Sequence, residues 1–262
     1  MSLTSPFFIV NADDFGLDQT TNTAILSAFA AGIISSTTLL VNTPGFLEAC
    51  ALAHENRLLE RIGIHLNLTM GTPLTDPIRA LRRFCTTDGE FAAQRSFIPL
   101  SYTERNALAT ELLAQIQCAR QQHLPLTHAD SHHHIHTVYP IYTVVCGALQ
   151  QCRIRALRLS RNCGALSPLN WCAKAIFNTL LRWHGFYTTQ YFGSIHDFSA
   201  LCRTGVCIRS GEIMTHPTWD GEGNLVDRLD GHLLTPAIHK VVQNVTMQSY
   251  GIAAVPVTLR AA

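Results

Sequence analysis

Short apolar, β-rich runs alternate with helical stretches along almost the whole chain. This alternation constrains the fold more than any other feature. Strand-like runs fall at residues 7–12, 37–42, 62–68, 126–131, 156–160, 190–194, 212–215 and 252–257. Helical stretches at 18–31, 45–55, 102–122, 140–151, 168–183 and 236–250 fill most of the intervals. Several carry end signals: Asp18 as an N-cap with Gly32 just beyond the last turn, Pro168 in a first turn, and Thr235 before Pro236. Parallel strands need crossover connections, so strand-helix alternation implies a parallel sheet. Eight strand units in 262 residues predict an α/β protein, a distorted TIM-like (β/α) barrel forming a single domain over 1–262. A doubly wound open sheet satisfies the same pattern. Residues 69–101 break the alternation with turn signals at Gly71-Thr72-Pro73, Asp76-Pro77 and Asp88-Gly89. They are expected to form a loop excursion above the functional face.

The charges are balanced, with 19 basic and 18 acidic residues and a net charge of +1, which gives no reason to expect nucleic acid as a partner. Charged residues make up only 14% of the chain, which leaves room for an apolar patch, a homo-oligomer interface or a lipid-like ligand. The nine cysteines are odd in number and include no C-x-x-C pair. That argues against a disulfide framework or a thiolate zinc site, and most are expected to be small buried hydrophobes in a reducing, cytoplasmic compartment. Residues 7–10 are too short for a signal-peptide core. The apolar stretch 24–41 is interrupted by Gly32 and Ser35-Ser36-Thr37-Thr38, so no transmembrane segment is expected.

The polar residues of interest cluster where strands should end. Four segments hold them: Asn11-Ala12-Asp13-Asp14-Phe15-Gly16, Gly63-Ile64-His65-Leu66-Asn67-Leu68, the stretch from His128 to His136, and Glu212-Ile213-Met214-Thr215-His216-Pro217. In barrels the chemistry sits at the C-terminal ends of the strands. Carboxylates and imidazoles gathered at that rim suit a divalent metal, with imidazole ligands favouring zinc over magnesium. Each motif alone has a plainer explanation: a helix cap for Asp13-Asp14, a core histidine for His65, and a backbone-satisfied strand end for His216. If the fourth strand persists, alternation puts Asp130, His132 and His134 on one face. His216 precedes Pro217, so strand pairing is expected to stop there. Trp219 and Asp220 either line a sugar pocket or serve packing.

The four motifs, in this order, resemble the YdjC-like carbohydrate deacetylases, best known as chito-oligosaccharide deacetylases. The resemblance runs from about Phe7 to beyond Pro217. It implies a distorted (β/α) barrel with one divalent metal ion, zinc or magnesium. It implies Asp14, His65 and His132 as metal ligands, Asp13 as catalytic base and His216 as general acid. Asp130, His134, His136 and Glu212 are expected around these residues in supporting roles. The implied reaction removes N-acetyl groups from amino sugars, on a soluble oligosaccharide or a glycolipid, and releases acetate. Two other readings fit the residues: another metallohydrolase of phosphoesterase or amidohydrolase type, and a non-catalytic sugar- or metal-binding protein.

Overall fold

Nine consecutive buried residues, Phe7–Phe15, form the central strand β1, and the apolar run from Phe7 to Val10 that opens it lets the strand be covered on both faces. A computed structural model describes residues 5–92, 98–243 and 245–253. After β1 come α1 (Gln19–Ala30), β2 (Ser36–Leu39), α2 (Phe46–Glu55) and β3 (Ile62–Leu66). Asp18 caps α1 by accepting from the Thr21 amide, and Gly32 ends that region with φ +68°. A short α3 (Asp76–Arg79) precedes α4 (Tyr102–Gln121), which opens with a reciprocal Ser101–Glu104 capping box. Next are β4 (Ala129–Ser131), α5 (Tyr139–Gln151), α6 (Pro168–Trp183), β5 (Tyr191–Ser194), α7 (Ile195–Arg203) and β6 (Ser210–Thr215). The chain continues with β7 (Pro217–Trp219), β8 (Leu225–Asp227), α8 (Leu234–Val242), β9 (Thr246–Met247) and α9 (Tyr250–Ala253).

The main sheet is parallel, in the order β4-β3-β2-β1-β6-β5, and β7 and β8 form a separate antiparallel hairpin. The result is a single α/β domain whose parallel sheet curls into a half-barrel. The described residues do not form a regular eight-stranded barrel. The run at 156–160 joins the sheet only through isolated bridges, Ala129 with Leu157 and Ala156 with Tyr187. The cause lies next door. β4 is three residues long because the chain turns at His132 into a tight 3₁₀ segment, where His133 and His134 have φ of 53° and 55°. The neighbouring run therefore has little strand to pair with.

The C-terminal region also differs from expectation. The helix expected over 236–250 ends at Val242, and Thr246–Met247 instead pairs with Phe7 and Phe8 of β1. β2 meets β1 only from Asn11 onward, so the first residues of β1 have an open edge for β9 to fill. Of the strand expected at 252–257, Ile252 and Ala253 belong to α9 and the rest lie outside the described residues. The described part of 69–101 is tied down by buried Glu111 of α4, which accepts from the amides of Leu74 and Thr75. All nine cysteines are free thiols. Cys50, Cys85, Cys146 and Cys163 are buried, but Cys172, Cys202 and Cys207 are exposed.

Candidate active site

β1 ends in two carboxylates that a regular strand would send to opposite faces. A bulge prevents this. Ala12 pairs with Thr37 and Phe15 with Leu39, so β1 carries one more residue than β2 over this stretch. Asp14 takes up the extra residue with φ 69°, a left-handed conformation that aspartate tolerates better than most side chains. Asp13 and Asp14 thereby line one cavity of about 200 Å³ together with His65, His132, His134 and His216. Neither carboxylate caps a helix; Asp18 does that for α1.

Asp13 is held from behind. The guanidinium of the fully buried Arg158 donates to its two oxygens at 2.6 and 2.7 Å, and Asn11 Nδ2 donates to Oδ1 at 2.9 Å. Burial alone would raise the Asp13 carboxyl, but the charge and hydrogen bonds of Arg158 hold it far below the usual carboxylate range. Arg158 also contacts Asp130 Oδ2 at 2.5 Å and Glu212 Oε1 at 2.6 Å. Glu212 in turn accepts from the Tyr250 hydroxyl. One buried cation thus serves three carboxylates. Burial raises Glu212 to about 6, outweighing the opposing pull of Arg158.

His65 bridges this network to the cavity. Its Nδ1 lies 2.6 Å from Asp130 Oδ1, so Nδ1 carries the hydrogen and Nε2 faces Asp14. Burial opposes charge on this ring, but Asp130 and then Asp14 override it and lift the pKa to about 10, so a cation bound at Nε2 would displace the proton held there. Thr69 Oγ1 lies 2.8 Å from His132 Nδ1, which turns His132 Nε2 the same way. Burial and the neighbouring His65 lower His132 to about 4, so its ring is neutral near pH 7. Asp14 Oδ1 stands 3.2 Å from His65 Nε2 and 3.9 Å from His132 Nε2. Yet this buried oxygen makes no hydrogen bond. Its partner oxygen, Oδ2, is bonded by Arg228 from the loop after β8.

A second set of potential ligands lies deeper. Asp13, His65 and Asp130 each bring one donor atom to within 4.8 Å of the others, so this buried group offers three ligands to a metal ion. Both sets have a guanidinium at close range, Arg158 against Asp13 and Asp130 and Arg228 against Asp14 Oδ2.

The remaining imidazoles divide by position. His216 lies just past β6, its backbone amide bonded to Asp227 of β8 at 2.9 Å. Its Nε2 is 3.9 Å from Asp13 Oδ2 across the cavity wall, and its Nδ1 has no hydrogen bond. Burial works against charge on His216, but the carboxylates of Asp227, Asp13 and Asp14 outweigh it and raise its pKa. The turn after β4 removes His134 from the strand alternation expected for it. His134 still borders the cavity, with Nδ1 buried and unbonded. His136 points away and bonds Ser131 Oγ and the Arg158 carbonyl. Trp219 reaches Thr23 of α1, and Asp220 accepts from the amides of Glu222 and Asn224; neither lines the cavity.

Sequence reasoning missed Arg158, Arg228, Thr69 and also Thr38, whose hydroxyl donates to Asp130 Oδ2 at 3.0 Å. Arg158 left a signal as the one charged residue in the apolar run 156–160. Arg228 left none, because it reaches Asp14 from an irregular loop.

Together these features define a class: α/β proteins that gather carboxylates and imidazoles at the C-terminal rim of a curled parallel sheet. The family model described as YdjC-like protein matches residues 7–235, and the chain belongs to that family. Proteins named carbohydrate deacetylase are similar to it. One from Brevibacillus brevis is 38% identical over 146 residues, 56% of this chain and 56% of that protein. One from Vibrio cholerae is 40% identical over 129 residues, 49% of each chain. The chain thus spans about half the length of these curated relatives. One from Oceanobacillus iheyensis is 30% identical over 208 residues, 79% of this chain and 84% of that protein. Among solved structures, a putative cellobiose-phosphate cleavage protein from Enterococcus faecalis superimposes with a TM-score of 0.74 at 20% identity, covering 96% of this chain and 100% of that one. That likeness concerns the fold.

Proposed function

We propose that this chain hydrolyses N-acetyl groups on amino sugars, releasing acetate, with one divalent ion held by Asp14, His65 and His132. The observation that carries this reading is the unbonded Asp14 Oδ1 facing two imidazole nitrogens at 3.2 and 3.9 Å. Donors on one ion with bonds of about 2.0–2.2 Å lie roughly 3–4 Å apart, so each imidazole nitrogen stands at a separation from Asp14 Oδ1 that one ion can bridge. Asp130 on His65 and Thr69 on His132 fix the ring orientations such ligands need. A bound divalent ion supplies a Lewis acid that polarises an amide carbonyl and acidifies water.

The chain's own groups handle the protons. Asp13 Oδ2 takes one hydrogen bond from Arg158 and keeps capacity for a second, so it can receive a proton there. Arg158 and Asn11 fix the plane of that carboxylate while lowering its basicity. His216 Nε2, on the other wall, gives its proton to the departing amine, since an amide nitrogen leaves poorly unless protonated. The raised pKa of His216 keeps the acid form available. The names of the curated relatives support a carbohydrate substrate. The acceptor is an N-acetylglucosamine oligomer or a glycolipid bearing the same sugar. No helix among the described residues is long and apolar enough to cross a membrane.

The test is acetate release from N-acetylglucosamine oligomers of graded length, with and without a chelator. Chelator-sensitive release supports the assignment. Release that survives complete metal removal would falsify it.

A further inference from the structure

A second cluster of metal-ligating side chains lies on the surface, outside the cavity. His196 stands in the first turn of α7, and Asp230 and His232 stand in the loop joining β8 to α8. His196 Nε2 is 3.0 Å from Asp230 Oδ2, and His232 Nδ1 is 3.1 Å from Asp230 Oδ1. The two rings meet edge to face with centroids 4.4 Å apart. One donor atom from each residue lies within 4.8 Å of the other two. We propose that these three residues form a second, surface site for a zinc-class divalent ion, independent of the proposed catalytic ion.

Three observations carry the assignment. The donor set is two imidazoles and a carboxylate, which suits zinc, nickel or copper and not magnesium or calcium. No lysine or arginine pairs with Asp230 among the described residues; its two ion-pair partners are the imidazoles, so its charge is open to a cation. The loop is also already wound into shape. Gly231, with φ +69°, donates to the Asp227 carbonyl, His232 donates its amide to Asp230 Oδ1, and Asp227 donates its amide to the His232 carbonyl. The ligands are therefore partly ordered before an ion arrives, which lowers the entropic cost of binding. Solvent exposure of all three residues leaves room for water in the remaining coordination positions.

The site has a structural consequence. The same short loop carries Arg228, which bonds Asp14, and Leu229, which lines the cavity. An ion joining His196 to Asp230 and His232 staples that loop to α7.

The experiment uses the full chain, stripped with chelator and titrated with zinc by equilibrium dialysis and elemental analysis. His196→Ala and His232→Ala should each bind one zinc fewer per chain than the parent protein. His123→Ala, on an unrelated surface, serves as control and should match the parent. The comparison is repeated in an Asp14→Asn background, so loss of the surface ion is counted whether or not the cavity binds metal. Hydrogen exchange supplies a second readout: zinc should slow the amides of 227–233 in the parent and not in His196→Ala. Unchanged stoichiometry in both histidine variants, or no slowing in the parent, overturns the proposal.

Discussion

Arg158 grips Asp13 through both terminal guanidinium nitrogens, and one of those nitrogens also reaches Asp130. The carboxylate proposed as base and the carboxylate orienting His65 therefore share one buried cation. Removing that cation leaves charges stranded in a dry interior, where unpaired ions are far more costly than on the surface.

Arg158→Met is accordingly expected to cost about 3–5 kcal/mol of stability, the range for breaking a buried ion pair from one side. Urea denaturation of both proteins measures it. A loss below about 1 kcal/mol would mean that the three carboxylates do not depend on Arg158.

Asp13→Asn keeps the shape of the side chain but removes the proton acceptor. Acetate release should fall by about 10²–10⁴-fold, the usual contribution of general acid-base catalysis. Metal content, measured on the same samples, should stay at the parent level because Asp14, His65 and His132 are untouched. An active Asp13→Asn enzyme sinks the assignment of the base.

The raised pKa of His216 sets the pH dependence. If its acid form is required, activity is retained below that pKa and falls as pH climbs through it. His216→Ala should abolish this alkaline limb. Stability has the same sign. A histidine whose folded pKa exceeds its unfolded value stabilises fully below the latter and loses that contribution as pH rises through the folded pKa. A parent and a His216→Ala variant with superimposable alkaline profiles, in both rate and melting, would show that His216 does not titrate as described.

Gly63 faces the buried His128 across β3. A Cβ placed there would lie 2.6 Å from His128 Cε1 and 2.7 Å from the His128 carbonyl oxygen. His128 is stacked on Tyr250 at 4.0 Å and bonded to Asn11, which itself holds Asp13. Gly63→Ala should destabilise by about 1–3 kcal/mol, as overpacking does. It should also lower the rate through Asn11. A variant of unchanged melting temperature and rate contradicts this packing.

How much of this was legible in the sequence depends on what kind of interaction each feature uses. The parallel sheet and the rim motifs were readable because alternation and strand ends are local signals. Asp13, Asp14, His65, His132 and His216 do meet around one cavity. The bulge that unites the first two was invisible, since it depends on register with β2. Arg158 and Arg228 were missed because their partners lie 145 and 214 residues away in the chain. β9 was read as helix because only the open edge beside Phe7 and Phe8 makes it a strand. His134 shares a face with Asp130 only if the fourth strand persists, and the left-handed turn ends that strand at Ser131.

The inserted residue in β1 bears on any attempt to transplant this chemistry into another scaffold. Copying the acidic pair onto a flush strand would bury one acid among aliphatic neighbours and leave half the arrangement missing. A graft has to import the two-against-one stagger with the adjoining strand along with the side chains themselves.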